Sequence, residues 1–304
     1  MIQTVIPLFL HCKTPFHPGS GSDLGIVDLP VQRESHTGYP KFEASGLKGC
    51  LRESYAKGTD EELIFGPAEK GDDHGGSVCL TDARALLFPV RSFRGVFAYI
   101  TCPYAMERFL EELKVAKLEL SSLATGPDDN CALVCTSSVL WADKEKKGEI
   151  ALEEYTFGAK ETPELTAFAE ALGPLLGEKL ISGENLKKRL AVLSDDDFAF
   201  FVKTATETVT RVRIDQKTGT VASGALFTEE YIPAETLFYS LAMAGSILLK
   251  DADKQTWKEN HPDITDESKY LLDLLKRNTP SIVQMGGDAT IGKGLVAVHF
   301  GEVK

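Results

Sequence analysis

Apolar and polar positions alternate like a strand at the start of the chain and recur like a helix soon after. Residues Gln3 to Cys12 form a short, mostly apolar run that predicts a strand. From Ser45 to Ala56, large apolar side chains recur at every fourth position, which predicts a helix with one buried stripe. Residues 13–28 between them are rich in Pro, Gly and Ser and are therefore predicted to form a loop.

The same alternation continues through the first half of the chain. Strands are predicted over Ser77 to Phe88 and over Cys131 to Leu140. A helix is predicted between them, over Pro103 to Lys117, with the proline near its first turn. Strands separated by helices favour a layered α/β or α+β domain.

The middle of the chain has a different character. Between Ala142 and Leu193 the sequence is charged and helical in pattern, with Gly and Pro interruptions, and we interpret it as an insertion. Ser194 is followed by three aspartates, which is typical of a helix N-cap with acids in the first turn. A short helix is therefore predicted to begin there.

A long β-hairpin is predicted from Glu207 to Phe227, with its turn at residues 215–219. Strand alternation places Arg211 and Arg213 on one face and apolar residues on the other. The chain ends with a predicted helix, Glu267 to Arg277, and then two predicted strands, Ser281 to Met285 and Leu295 to Phe300.

The loop joining these last two strands, Gly286 to Gly294, contains four glycines and one lysine. Glycines leave backbone N–H groups accessible, and a nearby cation suits contact with a phosphate. The loop is not a Walker A motif, because no Ser or Thr follows Lys293 and no helix is predicted after it. A plain turn is the alternative interpretation.

Composition places the chain among ordinary globular proteins: 304 residues, 43% hydrophobic and 26% charged. Its six cysteines are scattered, which is typical of a reducing cytoplasm and argues against a zinc site. The longest apolar stretch, residues 236–249, is too short to span a bilayer, and the N-terminus does not resemble a secretion signal. We therefore expect a cytoplasmic protein without a membrane partner.

Net charge is −12, which argues against a protein that coats nucleic acid nonspecifically. The charge is unevenly spread, however. Residues 1–59 hold six basic and five acidic residues, a sum of +1, whereas residues 143–200 hold eight and thirteen, a sum of −5. A basic face for RNA is therefore compatible with the overall sign.

Several short motifs together resemble the RAMP superfamily, and more closely the backbone subunit of the type III-B CRISPR Cmr effector complex. The resemblance covers nearly the whole chain except the insertion. The motifs are HPGSG at 17–21, GIVDLPVQRE at 25–34, TGYP at 37–40, SGLKGCLR at 45–52, TRVRID at 210–215, GALF at 224–227, EEYIP at 229–233 and the glycine-rich loop at 286–294.

This resemblance implies an α+β fold with a ferredoxin-like (RRM-like) palm, formed by residues 1–141 and 228–304. It also implies a β-hairpin thumb at 207–227 and a mostly helical insertion at 142–206. Copies are expected to stack as a filament on a guide RNA and to cleave complementary target RNA at regular intervals. The expected partners are guide RNA, target RNA, further copies and other Cmr subunits, and the expected cofactor is a divalent cation, Mg²⁺ or Mn²⁺.

Asp28 matches the essential aspartate of the family and is the main candidate catalytic residue. RNA carries its own nucleophile, the 2′-hydroxyl, so one carboxylate that orients this group or recruits a metal-bound water suffices. Asp23 is a weaker metal ligand, and His17 is a candidate general acid or base. Glu229 and Tyr231 lie where the thumb returns to the palm, and they are expected to line the same cleavage site. Without the resemblance, the favoured interpretation of Asp28 is the acceptor of an Asx turn before Pro30.

For RNA binding, Lys48 and Arg52 lie one helical turn apart near a helix N-terminus, which is a natural anion site. A solvated helical face is the alternative. The full set of candidate RNA contacts is Arg33, Ser45, Lys48, Arg52, Arg211, Arg213, Gly292, Lys293 and Gly294.

Three other functions remain open at this point. The chain is alternatively an RNA scaffold that does not cut, the equivalent subunit of the type III-A Csm complex, or a guide-processing endonuclease that acts alone without metal. The run at residues 27–34 argues against the Csm subunit.

Overall fold

The computed structural model describes residues 2–22, 25, 27–56, 58, 60–67, 74–143, 145–177, 180–215 and 217–301, with only the backbone at 222–225. Asp23 lies outside the described residues. The described chain is a mixed α+β structure, which confirms the predicted class. Within it, no helix combines the length and the apolar character that crossing a membrane requires.

Most of the strands belong to one large mixed sheet. The strands are β1 (Thr4–Cys12), β2 (Lys41–Phe42), β3 (Val78–Leu80), β4 (Ala83–Arg91), β5 (Phe97–Thr101), β6 (Cys131–Val134), β7 (Glu149–Leu152), β8 (Tyr155–Glu161), β9 (Leu190–Leu193), β10 (Glu207–Ile214), β11 (Val221–Tyr231), β12 (Leu237–Ala244), β13 (Ile282–Gln284) and β14 (Leu295–Phe300). Its order is β13-β14-β1-β12-β4-β5-β9-β6-β8-β7, with β2 on β4 and β3 on β12.

Helices pack on the two faces of this sheet. They are α1 (Ala44–Ser54), α2 (Glu61–Phe65), α3 (Pro103–Val115), α4 (Pro163–Leu176), α5 (Gly183–Arg189), α6 (Asp195–Thr204), α7 (Asp251–Asn260) and α8 (Glu267–Asn278), with a 3₁₀ turn at Ala289–Ile291. Helix α1 packs on β13 and helix α8 on β12 and β1, whereas α3, α4 and α5 pack on β4, β6 and β5.

Strand β1 runs through the centre of the sheet, antiparallel to β12 on one side and to β14 on the other. Its alternate residues enter two different cores: Leu8 and Leu10 pack with the leucines of α1 and α8, and Phe9 packs with Phe109 of α3. Burial on both faces explains why this strand is apolar almost throughout. The pairing of β1 with β14 also brings the first and last segments of the chain together.

The insertion at 142–206 contains helices, as predicted, and also three strands. Helices α4, α5 and α6 lie within it, and Ser194 caps α6 by accepting a hydrogen bond from the N–H of Asp197 at 3.2 Å. Strands β7, β8 and β9 of the same segment extend the large sheet. The insertion therefore packs as a continuation of the sheet.

The predicted hairpin is confirmed as a separate two-stranded sheet, β10 with β11, although β11 continues to Tyr231. An irregularity interrupts the pairing between Val212 and Ile214. We call residues 207–211 and 227–231 the thumb base, and residues 212–226 the thumb tip.

Other strand predictions were only partly right. The predicted strand 77–88 is divided into β3 and β4, and the strand predicted over 131–140 ends at Val134. Strand β5 was not predicted. The apolar run considered for a membrane span instead supplies β12, which is buried along most of its length between β1 and β4.

Candidate active site and nucleic-acid interface

The loop that follows β1 lies along the thumb base, and backbone hydrogen bonds join the two. The Leu29 N–H donates to the Thr228 carbonyl at 3.0 Å, and the Glu230 N–H donates to the Leu29 carbonyl at 3.0 Å. Phe16 and Ile232 exchange two further hydrogen bonds, of 2.9 and 2.8 Å. The loop and the thumb base, which both carry predicted catalytic residues, are therefore adjacent.

Asp28 lies at the exposed edge of this junction. Its Oδ2 accepts hydrogen bonds from the backbone N–H of Thr228 at 2.7 Å and from the Thr228 hydroxyl at 2.8 Å. These bonds, the backbone one most strongly, lower the pKa of the Asp28 carboxyl. No hydrogen bond joins Oδ1 to another residue in the described ranges. Asp28 is thus a carboxylate with one oxygen fixed and one available, and the Asx-turn interpretation is wrong because its partner lies in the thumb base.

His17 is buried beside the thumb base, and its tautomer follows from its contacts. Nδ1 lies 2.7 Å from the carbonyl oxygen of Glu230, which can only accept, so Nδ1 carries the proton. Nε2 then lies 3.6 Å from Oε1 of Glu229. The ring also contacts Tyr231 edge-on, with centroids 5.6 Å apart. His17 therefore places Nε2 beside the Glu229 carboxyl group.

Glu229 and Tyr231 belong to a larger cluster that the sequence did not reveal. The Tyr231 hydroxyl accepts a hydrogen bond from Nη2 of Arg211 and shares its single proton between two carboxyl groups, Oε2 of Glu229 at 2.5 Å and Oδ2 of Asp288. Arg211 places Nε 3.2 Å from Oε2 of Glu229 and Nη2 3.4 Å from Oδ2 of Asp288. The ammonium of Lys293 lies 4.7 Å from the centre of the Tyr231 ring. We call these five residues the thumb-base cluster.

The charges of this cluster balance one another. Burial raises the pKa of Tyr231, and its contacts with Asp288 and Glu229 raise it further, so the phenol stays protonated. Burial also raises the pKa of Asp288, but hydrogen bonding from Tyr231 and Glu229 and the charge of Arg211 outweigh it, and the net pKa is lowered. Glu229 and Asp288 therefore share Arg211 as their cation, and Lys293 lies over the Tyr231 ring beside them.

Two glycines allow the C-terminal loop to reach the cluster. Gly286 and Gly294 have φ values of 72° and 71°, and a Cβ on either would overlap a carbonyl oxygen, that of His17 or Met285. The Gly287 N–H donates to the His17 carbonyl at 3.0 Å. Glycine is required at both positions because φ is positive and a backbone carbonyl occupies the place where a Cβ would lie.

The backbone donors predicted for phosphate in this loop are largely engaged within the chain. The N–H groups of Gly292, Lys293 and Gly294 donate to carbonyl oxygens of residues 289, 288 and 15, respectively. The Lys293 side chain is directed over Tyr231. A role of these residues in RNA binding stays a prediction, and the side chain of Lys293 is its best-placed group.

Asp28 and the thumb-base cluster are neighbours without direct contact among the described residues. Thr228, which holds Asp28, and Glu229, which joins the cluster, are consecutive on β11, so their side chains point to opposite faces. Within the part of the chain that the structure describes, no three His, Cys, Asp or Glu side chains are grouped to hold a metal. Of the two predicted metal ligands, Asp28 and Asp23, the structure describes Asp28, whereas Asp23 lies outside the described residues.

The predicted RNA contacts on α1 are turned towards the protein. Nζ of Lys48 donates to the Val78 carbonyl at 2.9 Å, and burial lowers its pKa. Arg52 donates to Glu61 at 3.1 Å and to the Gly66 carbonyl at 2.7 Å. Their shared stripe is as predicted, but both cations already have partners. Ser45 is exposed on the first turn of the helix.

The remaining predicted arginines behave differently from each other. Arg33 donates from Nη1 to the carbonyls of Gly38 and Val202, at 3.0 and 2.9 Å, and from Nη2 to the buried carboxylate of Glu230. It therefore fixes the loop to the thumb base. Arg213 is exposed and forms no ion pair with any described acid.

Sequence reasoning missed Thr228 and Asp288. Thr228 sits in an ordinary strand pattern, and nothing in the sequence marks its contact with a residue 200 positions earlier. Asp288 left a signal, because it is the one acid in a loop predicted to face phosphate, where an acid is unexpected.

The model of the RAMP superfamily matches residues 9–297 of the chain. The chain therefore belongs to the RAMP superfamily.

Two curated relatives within this superfamily are similar to the chain over nearly its whole length. The chain is 38% identical to the CRISPR system Cmr endoribonuclease Cmr4 of Pyrococcus furiosus over 303 residues, covering 97% of this chain and 95% of that protein. It is 26% identical to the CRISPR system CMR subunit Cmr4 of Saccharolobus solfataricus, covering 97% and 96%. Among solved structures, oligomeric Cmr4 from Pyrococcus furiosus superposes with a TM-score of 0.72 and 28% identity, covering 99% of both chains. The resemblance to a Cmr backbone subunit is thereby confirmed.

Proposed function

We propose that the chain is an endoribonuclease that forms the repeated backbone of a type III-B CRISPR Cmr effector complex. Its 38% identity to the Cmr endoribonuclease of Pyrococcus furiosus supports this assignment. The observation that carries the activity is the state of the exposed Asp28, whose carboxylate is fixed by Thr228 through Oδ2 and whose Oδ1 has no hydrogen-bond partner among the other residues that the structure describes.

The reaction uses the RNA's own 2′-hydroxyl as the nucleophile. The 2′-oxygen bonds to the adjacent phosphorus while the bond from phosphorus to the 5′-oxygen breaks, which gives a 2′,3′-cyclic phosphate and a 5′-hydroxyl. The 2′-hydroxyl loses its proton and the 5′-oxygen gains one. Asp28 orients the 2′-hydroxyl by accepting its hydrogen bond. Its lowered pKa keeps the carboxylate ionised and makes it a weak base, so it suits accepting a hydrogen bond more than removing the proton.

His17 is the proposed proton carrier. Its Nδ1 is bound to the Glu230 carbonyl, and Nε2, which lies 3.6 Å from Oε1 of Glu229, is the ring nitrogen left to exchange a proton. Arg211, whose side chain is partly exposed, supplies a guanidinium donor as negative charge develops on the phosphate oxygens, and the buried Tyr231 positions that guanidinium by accepting its hydrogen bond.

The divalent cation, Mg²⁺ or Mn²⁺, remains part of the proposal. Asp28 contributes one hard oxygen ligand of the kind these ions prefer, with Asp23 as the predicted second. When bound, the cation would reduce the repulsion between the Asp28 carboxylate and the RNA phosphate.

The strand order supports a ferredoxin-like palm. Strands β14, β1, β12 and β4 are neighbours in that order, each antiparallel to the next, and α1 and α8 follow β1 and β12 in the chain. This is the order expected for a βαββαβ unit, with the palm drawn from residues 1–141 and 228–304.

The proposed partners are guide RNA, complementary target RNA, further copies of the chain and other Cmr subunits. The solved structure of an oligomeric relative supports stacking of copies. The exposed Arg213 and the Lys293 side chain are the best-placed cations for RNA phosphate, whereas Lys48 and Arg52 would first have to leave their present partners.

The test is cleavage of a labelled complementary RNA by the reconstituted complex. Replacing Asp28 by Asn keeps the shape and removes the charge, so cutting should fall by at least about a hundredfold at every site while target binding is retained. Asp253→Asn, on the exposed first turn of α7, is the matched control and should cut normally.

Full activity of the Asp28→Asn complex would refute the assignment of the reaction to this residue. Binding without cutting by the unmodified complex would instead support the non-cleaving scaffold. Cleavage of a hairpin precursor by the isolated chain without metal would support the guide-processing enzyme.

A further inference from the structure

We propose that Asp288 is a positioning residue of the cleavage centre, which together with Glu229 holds the Arg211 guanidinium and the Tyr231 hydroxyl in place. This inference rests on the proposed function, because it concerns the same reaction. It adds a residue that belongs to none of the predicted catalytic or RNA-binding positions.

Two carboxyl groups from different segments contact the same two side chains. Glu229, from the thumb base, accepts a hydrogen bond from Nε of Arg211 at 3.2 Å and lies 2.5 Å from the Tyr231 hydroxyl. Asp288, from the C-terminal loop, accepts from Nη2 of the same guanidinium at 3.4 Å and contacts the same hydroxyl. Without Asp288, both groups would be held by one carboxyl group, which lies on their own hairpin.

The loop is built to present this carboxylate. Asp288 has a φ of 63°, in the left-handed region that Asp and Asn tolerate better than other side chains. Its carbonyl accepts the N–H groups of Ile291 at 3.1 Å and Lys293 at 3.3 Å, which closes the loop around it. The adjacent Gly287 N–H donates to the His17 carbonyl at 3.0 Å. Gly287 and Asp288 thus join the C-terminal loop to the loop that follows β1 and to the thumb base.

The charge of Asp288 distinguishes positioning from binding. A carboxylate repels RNA phosphate, so a residue kept for affinity here would be neutral or basic. Its ion-pair partner is Arg211, and the neighbouring carboxyl group is that of Glu229. Removing the charge should therefore leave target affinity unchanged or slightly tighter, while the rate at saturating target falls.

The experiment measures single-turnover cleavage and target affinity of reconstituted complexes. Asp288→Asn is nearly isosteric and suits a positive φ, so we expect folding and assembly to be retained. Its rate at saturating target should fall about tenfold to a hundredfold, with affinity within about twofold of Asp253→Asn. A rate equal to that of Asp253→Asn, or a fall explained by weaker binding, would overturn the proposal.

A double-variant cycle tests whether Asp288 acts through Arg211. If it does, Asp288→Asn should lower the rate by a smaller factor in the Arg211→Gln background than in the wild type, and the fall that remains belongs to its contact with Tyr231. A fall by the same factor in both backgrounds would overturn the proposal. Asp288→Glu keeps the charge but displaces the carboxylate by one methylene, so its rate should also fall. A full rate for Asp288→Glu would show that charge alone is needed and would refute positioning, even if Asp288→Asn failed to assemble.

Asp28→Asn, measured beside these variants, separates the two claims. If Asp28→Asn is inactive and Asp288→Asn is fully active, only the role of Asp288 fails. If Asp28→Asn is fully active, the proposed cleavage site itself fails, and the role inferred for Asp288 fails with it.

Discussion

At the thumb base Tyr231 is fully buried, whereas at the thumb tip Leu226 leaves 64% of its surface exposed and Val212 leaves 51%. The polar groups of the base are paired with one another across four chain segments, but the tip presents paired apolar side chains to solvent. A buried, hydrogen-bonded cluster fixes the position of each group. An exposed apolar strand pair gains free energy only by covering itself with a partner. The thumb base therefore suits catalysis, and the thumb tip suits binding to a partner.

The largest expected difference between the two ends is in folding stability. Tyr231→Ala should lower the free energy of unfolding by about 3 to 5 kcal/mol, because it empties a fully buried aromatic site. Leu226→Ala, on the same strand, should change it by less than about 0.5 kcal/mol. Urea unfolding of the two variants measures both values. Equal losses would contradict the division of the hairpin.

The two thumb arginines provide a smaller contrast. Arg211→Gln should lower the free energy of unfolding by about 1 to 3 kcal/mol, because it removes the cation that pairs with both Glu229 and Asp288. Arg213→Gln should leave unfolding unchanged and instead weaken RNA binding, lowering the slope of log affinity against log salt by about one. The account would be wrong if Arg213→Gln destabilised the fold and left the salt slope unaltered.

A pH profile tests how Thr228 prepares Asp28. The folded protein lowers the pKa of Asp28 through hydrogen bonds from Thr228, so activity that needs the carboxylate is lost only as pH falls through that lowered value. Thr228→Val removes the hydroxyl donor, and the acid limb of the cleavage profile should move to higher pH. Thr228→Ser keeps the donor and should retain the wild-type limb. An acid limb that is identical in all three proteins would separate Thr228 from the reaction.

The smallest effect is expected where the thumb tip crosses the guide–target duplex. If Val212 and Ile214 lie beside the bases there, those bases are unpaired. A target mismatched only at the regularly spaced crossings should bind within about twofold of a perfect target, since no base pair is lost. Equilibrium binding to both RNAs measures this, and a marked loss at the crossings would mean that the tip does not separate the strands.

Local structure was predictable where one short segment determines it. The stripe of α1, the N-cap at Ser194 and the thumb hairpin all follow from residues within a few positions of each other. Strands β5 and β12 were missed because strands buried on both faces lose the alternation that identifies a strand. The subdivision of residues 77–91 depends on pairing with β12, which is remote in sequence.

The candidate site was predictable as a set of residue types, and its connections were not. The sequence and its family resemblance proposed Asp28, His17, Glu229 and Tyr231 as one group. They did not predict that Thr228 binds Asp28 on the face of β11 opposite to Glu229. Lys48 was expected to face RNA, yet its direction depends on the Val78 carbonyl. Asp288 acquires meaning only when the C-terminal loop packs against the thumb base.

The central claim is that each chain cuts at its thumb base through the RNA's own 2′-hydroxyl. The most direct test is a target RNA with a single 2′-deoxy nucleotide at one of the regularly spaced cut positions. Cleavage should stop at that position, continue at all the others with 2′,3′-cyclic phosphate ends, and leave affinity unchanged, because only the nucleophile is removed. Continued cutting at the deoxy position would contradict the account, since the attacking oxygen would then come from elsewhere.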